Sequence, residues 1–100
     1  MVLTEDLLKE LKRFQDDQGR ITLFPSKTRN KIIALLYLST KFKQEIIYSE
    51  KEVNDIIEQH HTFQNKWLLR RELVDRGFLQ RKKDGSAYWV PEVLPTFELL

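Results

Sequence analysis

Apolar positions fall into a few rhythms along the chain, and these predict its elements. Leu3, Leu7, Leu8, Leu11 and Phe14 recur at helical spacing, which predicts an amphipathic helix over residues 4–15 capped by Thr4. The run from Asp16 to Gly19 breaks it. Residues 20–26, RITLFPS, read as extended, because Pro25 disfavours helical backbone at Phe24. Ser26 is placed to cap a helix that runs to about Phe42. Ile32, Ile33, Leu35, Leu36 and Phe42 cover about half of its circumference, which marks it as the central core helix. Lys27, Lys31, Ala34, Leu38 and Lys41 fall on its other side.

The local signals are sharper in the second half. Ser49 and Glu52 fit the S-x-x-E capping box, with Tyr48 and Val53 placed as a hydrophobic staple. The helix that follows runs to about Gln59 and puts Val53, Ile56, Ile57 and His60 on one face. Ahead of it, Ile46-Ile47-Tyr48 predicts a short strand. After the connection His61–Gln64, Asn65 caps a further helix that reaches Arg76. Leu69, Leu73 and Val74 bracket its buried side, and Arg70 lies between them. A buried Arg70 needs a partner, and Glu52 or Asp55 on the preceding helix would supply it. Gly77 ends this helix in the left-handed conformation, with Phe78 packing back on Leu73 as a Schellman motif requires. Asp84-Gly85 between two strand-like runs predicts a hairpin closed by a type I′ turn.

The element order is helix, short strand, helix, helix, two-stranded wing, preceded by an extra N-terminal helix. This is an α+β, winged helix-turn-helix-like order. It divides the chain into an amphipathic helix over residues 1–18, a winged-helix-like domain over 19–90 and an apolar tail over 91–100. Fold order alone does not fix function.

Five segments in sequence, RITLFPSK, YSEKEVNDII, HTF, LLRRELVDRGFL and DGSAYW, resemble the bacterial family called domain of unknown function 2087. The resemblance spans about residues 19–90. It implies a winged-helix-like domain, found alone or behind an ArsR-type helix-turn-helix in proteins described as transcriptional regulators. It brings no functional residues with it. Asn65-Lys66-Trp67 stands where relatives often have Asp-Pro-Ala, so the helix start keeps a capping residue and gains a large apolar group.

Composition narrows the chemistry. A chain of 100 residues, 41% hydrophobic and 32% charged, is sized for one domain with a modest core. It has no cysteine, hence no disulfide, thiolate zinc site or thiol nucleophile. Neither a membrane-length apolar run nor a signal-peptide pattern is present, so the expectation is a soluble cytoplasmic protein. The only histidines, His60 and His61, are adjacent and point about 100° apart on a helix end, a poor arrangement for one metal. His60 reads as a helix-terminal core residue. Each of the three glycines marks a turn, and none belongs to a phosphate loop. No catalytic group, cofactor or metal site is expected.

Charge is segregated. The total is +2, but residues 20–43 carry +6, residues 44–60 carry −4 and residues 61–90 carry +4. Two functions compete. In a DNA-binding domain, the helix from Asn65 would enter the major groove with Lys66 and Arg71, and the wing would bring Arg81, Lys82 and Lys83 to phosphate. Against this, the preceding helix carries Glu50, Glu52, Asp55 and Glu58, which repel phosphate. The alternative is a protein–protein interaction module. Trp67 and Leu68 lie off the apolar arc, and Leu7, Leu11 and Phe14 form a stripe that needs cover. A homodimer using the N-terminal helix would supply it. The tail residues Val93, Leu94, Phe97, Leu99 and Leu100 need cover too, and packing over Trp67 and Leu68 would provide some.

Overall fold

The computed structural model describes residues 3–95. Among them are four α-helices and one two-stranded antiparallel hairpin, an α+β arrangement. Helix α1 spans Glu5–Leu11 and runs into a 3-10 turn at Lys12–Phe14. Helix α2 is Thr28–Ser39, α3 is Glu50–Gln59 and α4 is Lys66–Asp75. Strands β1, Gln80–Arg81, and β2, Tyr88–Trp89, pair in the register Gln80↔Trp89 and Arg81↔Tyr88. Phe97, Leu99 and Leu100 lie outside the described residues.

Helix α1 forms where its spacing predicts. Thr4 accepts from the Leu7 amide at 3.2 Å. Leu11 is buried, and Leu3, Leu7 and Phe14 pack against the same core. The helix covers one side of α2, fastened at the rim by an Arg29–Glu10 pair at 2.7 Å. It returns through a tight turn in which the Asp16 carboxylate accepts from the amides of Gln18 and Arg20, both at 2.9 Å. Ile21 then bridges Gln15 on one side and His61 on the other, so the extended segment is stitched between the two halves.

Helix α2 is the core, but more completely than its own pattern indicates. Ile32, Ile33, Leu35 and Leu36 are buried as expected, yet Ala34 and Leu38, assigned to the outer side, are buried too. Lys31 Nζ sits 5.7 Å from the Phe24 ring centroid, and Lys41, just past the helix, has its Nζ 4.6 Å from that of Tyr37. Ser26 does not cap the helix. Lys27 is the extended residue before the first turn and makes no side-chain cap. The helix also stops at Ser39, short of Phe42. The Ser39 and Thr40 hydroxyls donate to the carbonyls of Leu36 and Tyr37, both at 2.6 Å, and the last amides close i→i+3 turns.

Helix α3 begins with the capping box. The Glu52 amide donates to Ser49 Oγ at 3.1 Å, and the Ser49 amide donates to Glu52 Oε1 at 2.9 Å. Val53 and Ile57 face the core. The histidine expected in the core is the wrong one of the pair: His61 is buried and His60 is half-buried. The helix has already ended at His60, whose backbone has left the helical region (φ −119°, ψ 11°), so helical spacing no longer governs either ring. Asn65 caps α4 by accepting from the Leu68 amide at 3.3 Å. The other end is a Schellman motif. Gly77 has φ +86°, and the amides of Phe78 and Gly77 donate to the carbonyls of Leu73 and Val74 at 2.8 and 3.1 Å.

The short strand at Ile46–Tyr48 reduces to one residue. Tyr48 and Tyr88 exchange two backbone hydrogen bonds of 2.8 Å, while Ile46 and Ile47 are exposed. The hairpin is not closed by a type I′ turn. That turn needs positive φ at both central residues, and of Asp84 and Gly85 only Gly85, at +75°, has it. The Lys82 amide still pairs with the Ala87 carbonyl at 3.0 Å, so the loop takes residues 83–86. Asp84 accepts from the Ser86 amide at 2.9 Å, which sets a right-handed turn before the left-handed glycine.

Arg70 ties α4 to α3, through partners other than those expected. Its Nη1 donates to Asn54 Oδ1 at 2.6 Å, and its Nη2 lies 3.7 Å from Glu50. Residues 50 and 54 share a face of α3, whereas Glu52 closes the capping box and Asp55 pairs with Lys51 at 2.9 Å.

Ser49→Ala removes one half of the capping box and will lower the unfolding free energy by about 1 kcal/mol in a urea titration. Adding Glu52→Ala will cost less than its single-variant value, because both serve one motif; strict additivity would contradict the box. Arg70→Ala will cost about 1–2 kcal/mol, the range for a partly screened hydrogen bond to a charged group. An unchanged melting curve would show that the Asn54 contact contributes nothing.

Candidate nucleic-acid interface

Helix α4 and the hairpin stand side by side and enclose a groove of about 500 Å³. The helix supplies Trp67, Arg70, Arg71 and Asp75, and the hairpin supplies Arg81 and Tyr88. Three guanidinium groups therefore line one groove, with one carboxylate among them. Arg70 is held in place from behind by Asn54 and Glu50. Arg81 donates to the Lys83 carbonyl at 3.1 Å, which fixes its direction at the hairpin tip. Arg71 is exposed, and among the described residues it makes no ion pair. The floor is Tyr88, fully buried, whose hydroxyl donates to Glu50 Oε1 at 3.1 Å.

At the groove's upper end stands Trp67, 58% exposed at the first turn of α4. The described part of the C-terminal tail does not cover it. Pro91 is buried and accepts from Gln44 at 3.2 Å, and Pro95 lies beside Gly77 at the far end of α4. Nor does α1 cover it, since α1 packs on α2. Leu68 is half-buried next to it. Of the residues expected at a partner surface, Trp67 is the most open, and Leu11 is enclosed by its own chain. Leu7 and Phe14 are half-buried against that same core.

The cations expected to act together do not share one surface. Arg81 faces α4, but Lys82, its neighbour along the pleat, lines a groove on the other side of the hairpin with Trp89. Lys83 is exposed in the loop. Lys66 is engaged: its ammonium pairs with Glu58 and sits 5.2 Å from the Trp67 ring centroid. Arg70, taken from the sequence as structural, also lines the groove. No sequence signal marks this, since adjacent helical residues such as Arg70 and Arg71 point about 100° apart.

The acidic helix is less repulsive than its composition implies. Glu50 is shared between Tyr88 and Arg70, Glu52 closes the capping box, Asp55 pairs with Lys51 and Glu58 pairs with Lys66. At the loop tip, hydrogen bonds from Ser86 hold the Asp84 carboxyl below its ordinary value, so it stays ionised beside Lys82.

The histidines have structural occupations. His61 Nε2 accepts from the Asn65 amide at 3.1 Å, which leaves Nδ1 as the donor to the Ile57 carbonyl at 2.7 Å. This bridge joins the end of α3 to the cap of α4. Burial, and then the charge of Lys41, lower the pKa of His60. Among the described residues, no group of three His, Cys, Asp or Glu is placed to hold a metal ion. No helix among them is long and apolar enough to cross a membrane.

No curated protein and no solved structure matches the chain. A family described as an uncharacterized protein conserved in bacteria, DUF2087, matches residues 20–90, from the stitched segment before α2 to the end of the hairpin. The N-terminal helix lies outside the match although it packs into the same core. With most of its length matched, the chain belongs to the DUF2087 family.

Proposed function

We propose that this chain is a non-catalytic, winged-helix-type domain that binds duplex DNA in bacterial transcriptional control. The observation that carries the proposal is the groove between α4 and the hairpin, where Arg70, Arg71 and Arg81 converge. In winged-helix proteins the last helix enters the major groove and the hairpin reaches adjacent phosphates. Supporting this reading, helix α4 and β1–β2 line one groove, and Tyr48 pairs with β2 through a single bridge. A guanidinium suits phosphate because its planar fork makes two charge-assisted hydrogen bonds. Pinning Arg70 and Arg81 beforehand reduces the ordering cost of binding. Trp67 adds an exposed ring at the start of α4, where it meets sugar or a base edge.

The proposal distinguishes among the cations. Arg71 and Arg81 face the groove, Lys66 is neutralised by Glu58 and Lys82 points away. Binding of a random-sequence duplex, followed by fluorescence anisotropy from low to physiological salt, tests this. Affinity will fall linearly in log salt. Arg71→Ala with Arg81→Ala will flatten the slope by about 1.8, or about 0.9 for each lost phosphate contact. Lys82→Ala will leave the slope unchanged. Absence of binding at low salt, or a double variant with the parent slope, would overturn the assignment.

A further inference from the structure

The hairpin has a second face, turned away from α4. Tyr48, Tyr88 and Arg81 stand opposite one another on the inner side, so the pleat turns Ile47, Trp89 and Gln80 outward. Ile47 is 72% exposed and Ile46 40% exposed, and with Trp89 they line an open groove of about 720 Å³. It gathers three apolar side chains, two of them exposed and Trp89 half-buried, on one face of the hairpin. The groove has a fixed shape. Trp89 Nε1 donates to Gln80 Oε1 at 2.7 Å, which holds the indole across β1, and Gln44 ties the Ile46–Ile47 segment to Pro91.

Its rim carries both signs of charge, at opposite corners. The strands lie in the order Tyr48 segment, β2, β1. Glu45 therefore flanks one outer strand, and Lys82 flanks the other at the opposite end, with Trp89 near the middle. Glu92 joins the acidic side. A twofold axis in the plane of the face, passing near Trp89 and across that diagonal, sets each copy's Lys82 over the other's Glu45. A patch that holds its own complement in this way is what an isologous contact requires. The acidic corner disfavours nucleic acid and anionic lipid as occupants.

We propose that this outer face is where two copies of the chain associate, with Ile46, Ile47 and Trp89 of each copy facing those of the other and Lys82 meeting Glu45 across the axis. The contact stacks two short sheets face to face. It leaves the α4 grooves free, because they open on the other side of each hairpin. The inference is independent of what those grooves bind. It also moves self-association from the N-terminal helix, which is occupied by its own core, to the sheet. The patch is small, so the dimer is a weak one, with dissociation in the range of tens to hundreds of micromolar.

Sedimentation velocity on the full chain, over a hundredfold concentration range reaching about 1 mM, tests the proposal without reference to nucleic acid. The parent will move from monomer to dimer across the range. Ile47→Asp, at an exposed position that the fold does not need, will raise the dissociation constant at least tenfold. Lys82→Glu and Glu45→Lys will each weaken the dimer at least threefold, and the two together will restore it to within twofold of the parent. A monomeric mass throughout would overturn the proposal and assign the face to a different protein or to none. A dimer indifferent to Ile47→Asp, or single charge reversals that the pair fails to rescue, would overturn it as well.

Discussion

Tyr48 and Tyr88 exchange two backbone hydrogen bonds, each 2.8 Å long, and this contact holds the hairpin against the helices. A two-stranded hairpin is marginal alone and needs a third strand or a helix to support it. Tyr48 supplies the strand contact, one residue before the capping box that starts α3. Tyr88 supplies the buried ring, and its hydroxyl reaches Glu50 in the first turn of that helix. Tyr48 is anchored in turn: its hydroxyl accepts from the Lys43 amide at 2.8 Å and its ring meets Phe42 edge-on at 5.4 Å. Pairing with Tyr48 fixes which face of the hairpin turns inward. That choice sends Arg81 towards α4 and Lys82 away from it.

The legible parts of the fold are those decided within a few residues. Ser49 and Glu52 form their box because both partners sit inside one helical turn. Gly77 and Phe78 close the Schellman motif for the same reason. What escaped the sequence depends on contacts between distant segments. Ala34 and Leu38 fall on the outer side of α2 by the helix's own pattern, yet both are buried in the assembled core. Asp84-Gly85 matches the preferred dipeptide of a tight turn, but the Gly85 amide donates to the Lys82 carbonyl instead, and the loop takes residues 83–86. The two histidines show how helical spacing fails one residue past a helix end.

The candidate site was legible as a list of cations and illegible as a surface. Lys66, Arg71, Arg81, Lys82 and Lys83 are all basic, yet only Arg71 and Arg81 face the groove, joined there by Arg70. Pleat and pairing make the selection, since Lys82 follows Arg81 by one residue and lies on the opposite side. Likewise, Glu58 cancels Lys66 only because α3 and α4 lie side by side. Net charge over a segment cannot register such cancellations, whereas the surface field depends on them.

The two hairpin faces divide the work proposed for this domain, with cations and Trp67 on the α4 side and apolar residues on the other. Binding at the α4 groove is tested by a two-dimensional ¹⁵N–¹H NMR titration of the full chain with a short random-sequence duplex at low salt. Shifts will concentrate in Trp67, Arg70, Arg71 and Arg81, with Glu5–Leu11 and the Ile46–Ile47 segment unmoved. Shifts confined to α1 or the outer face, with the α4 groove silent, would contradict it.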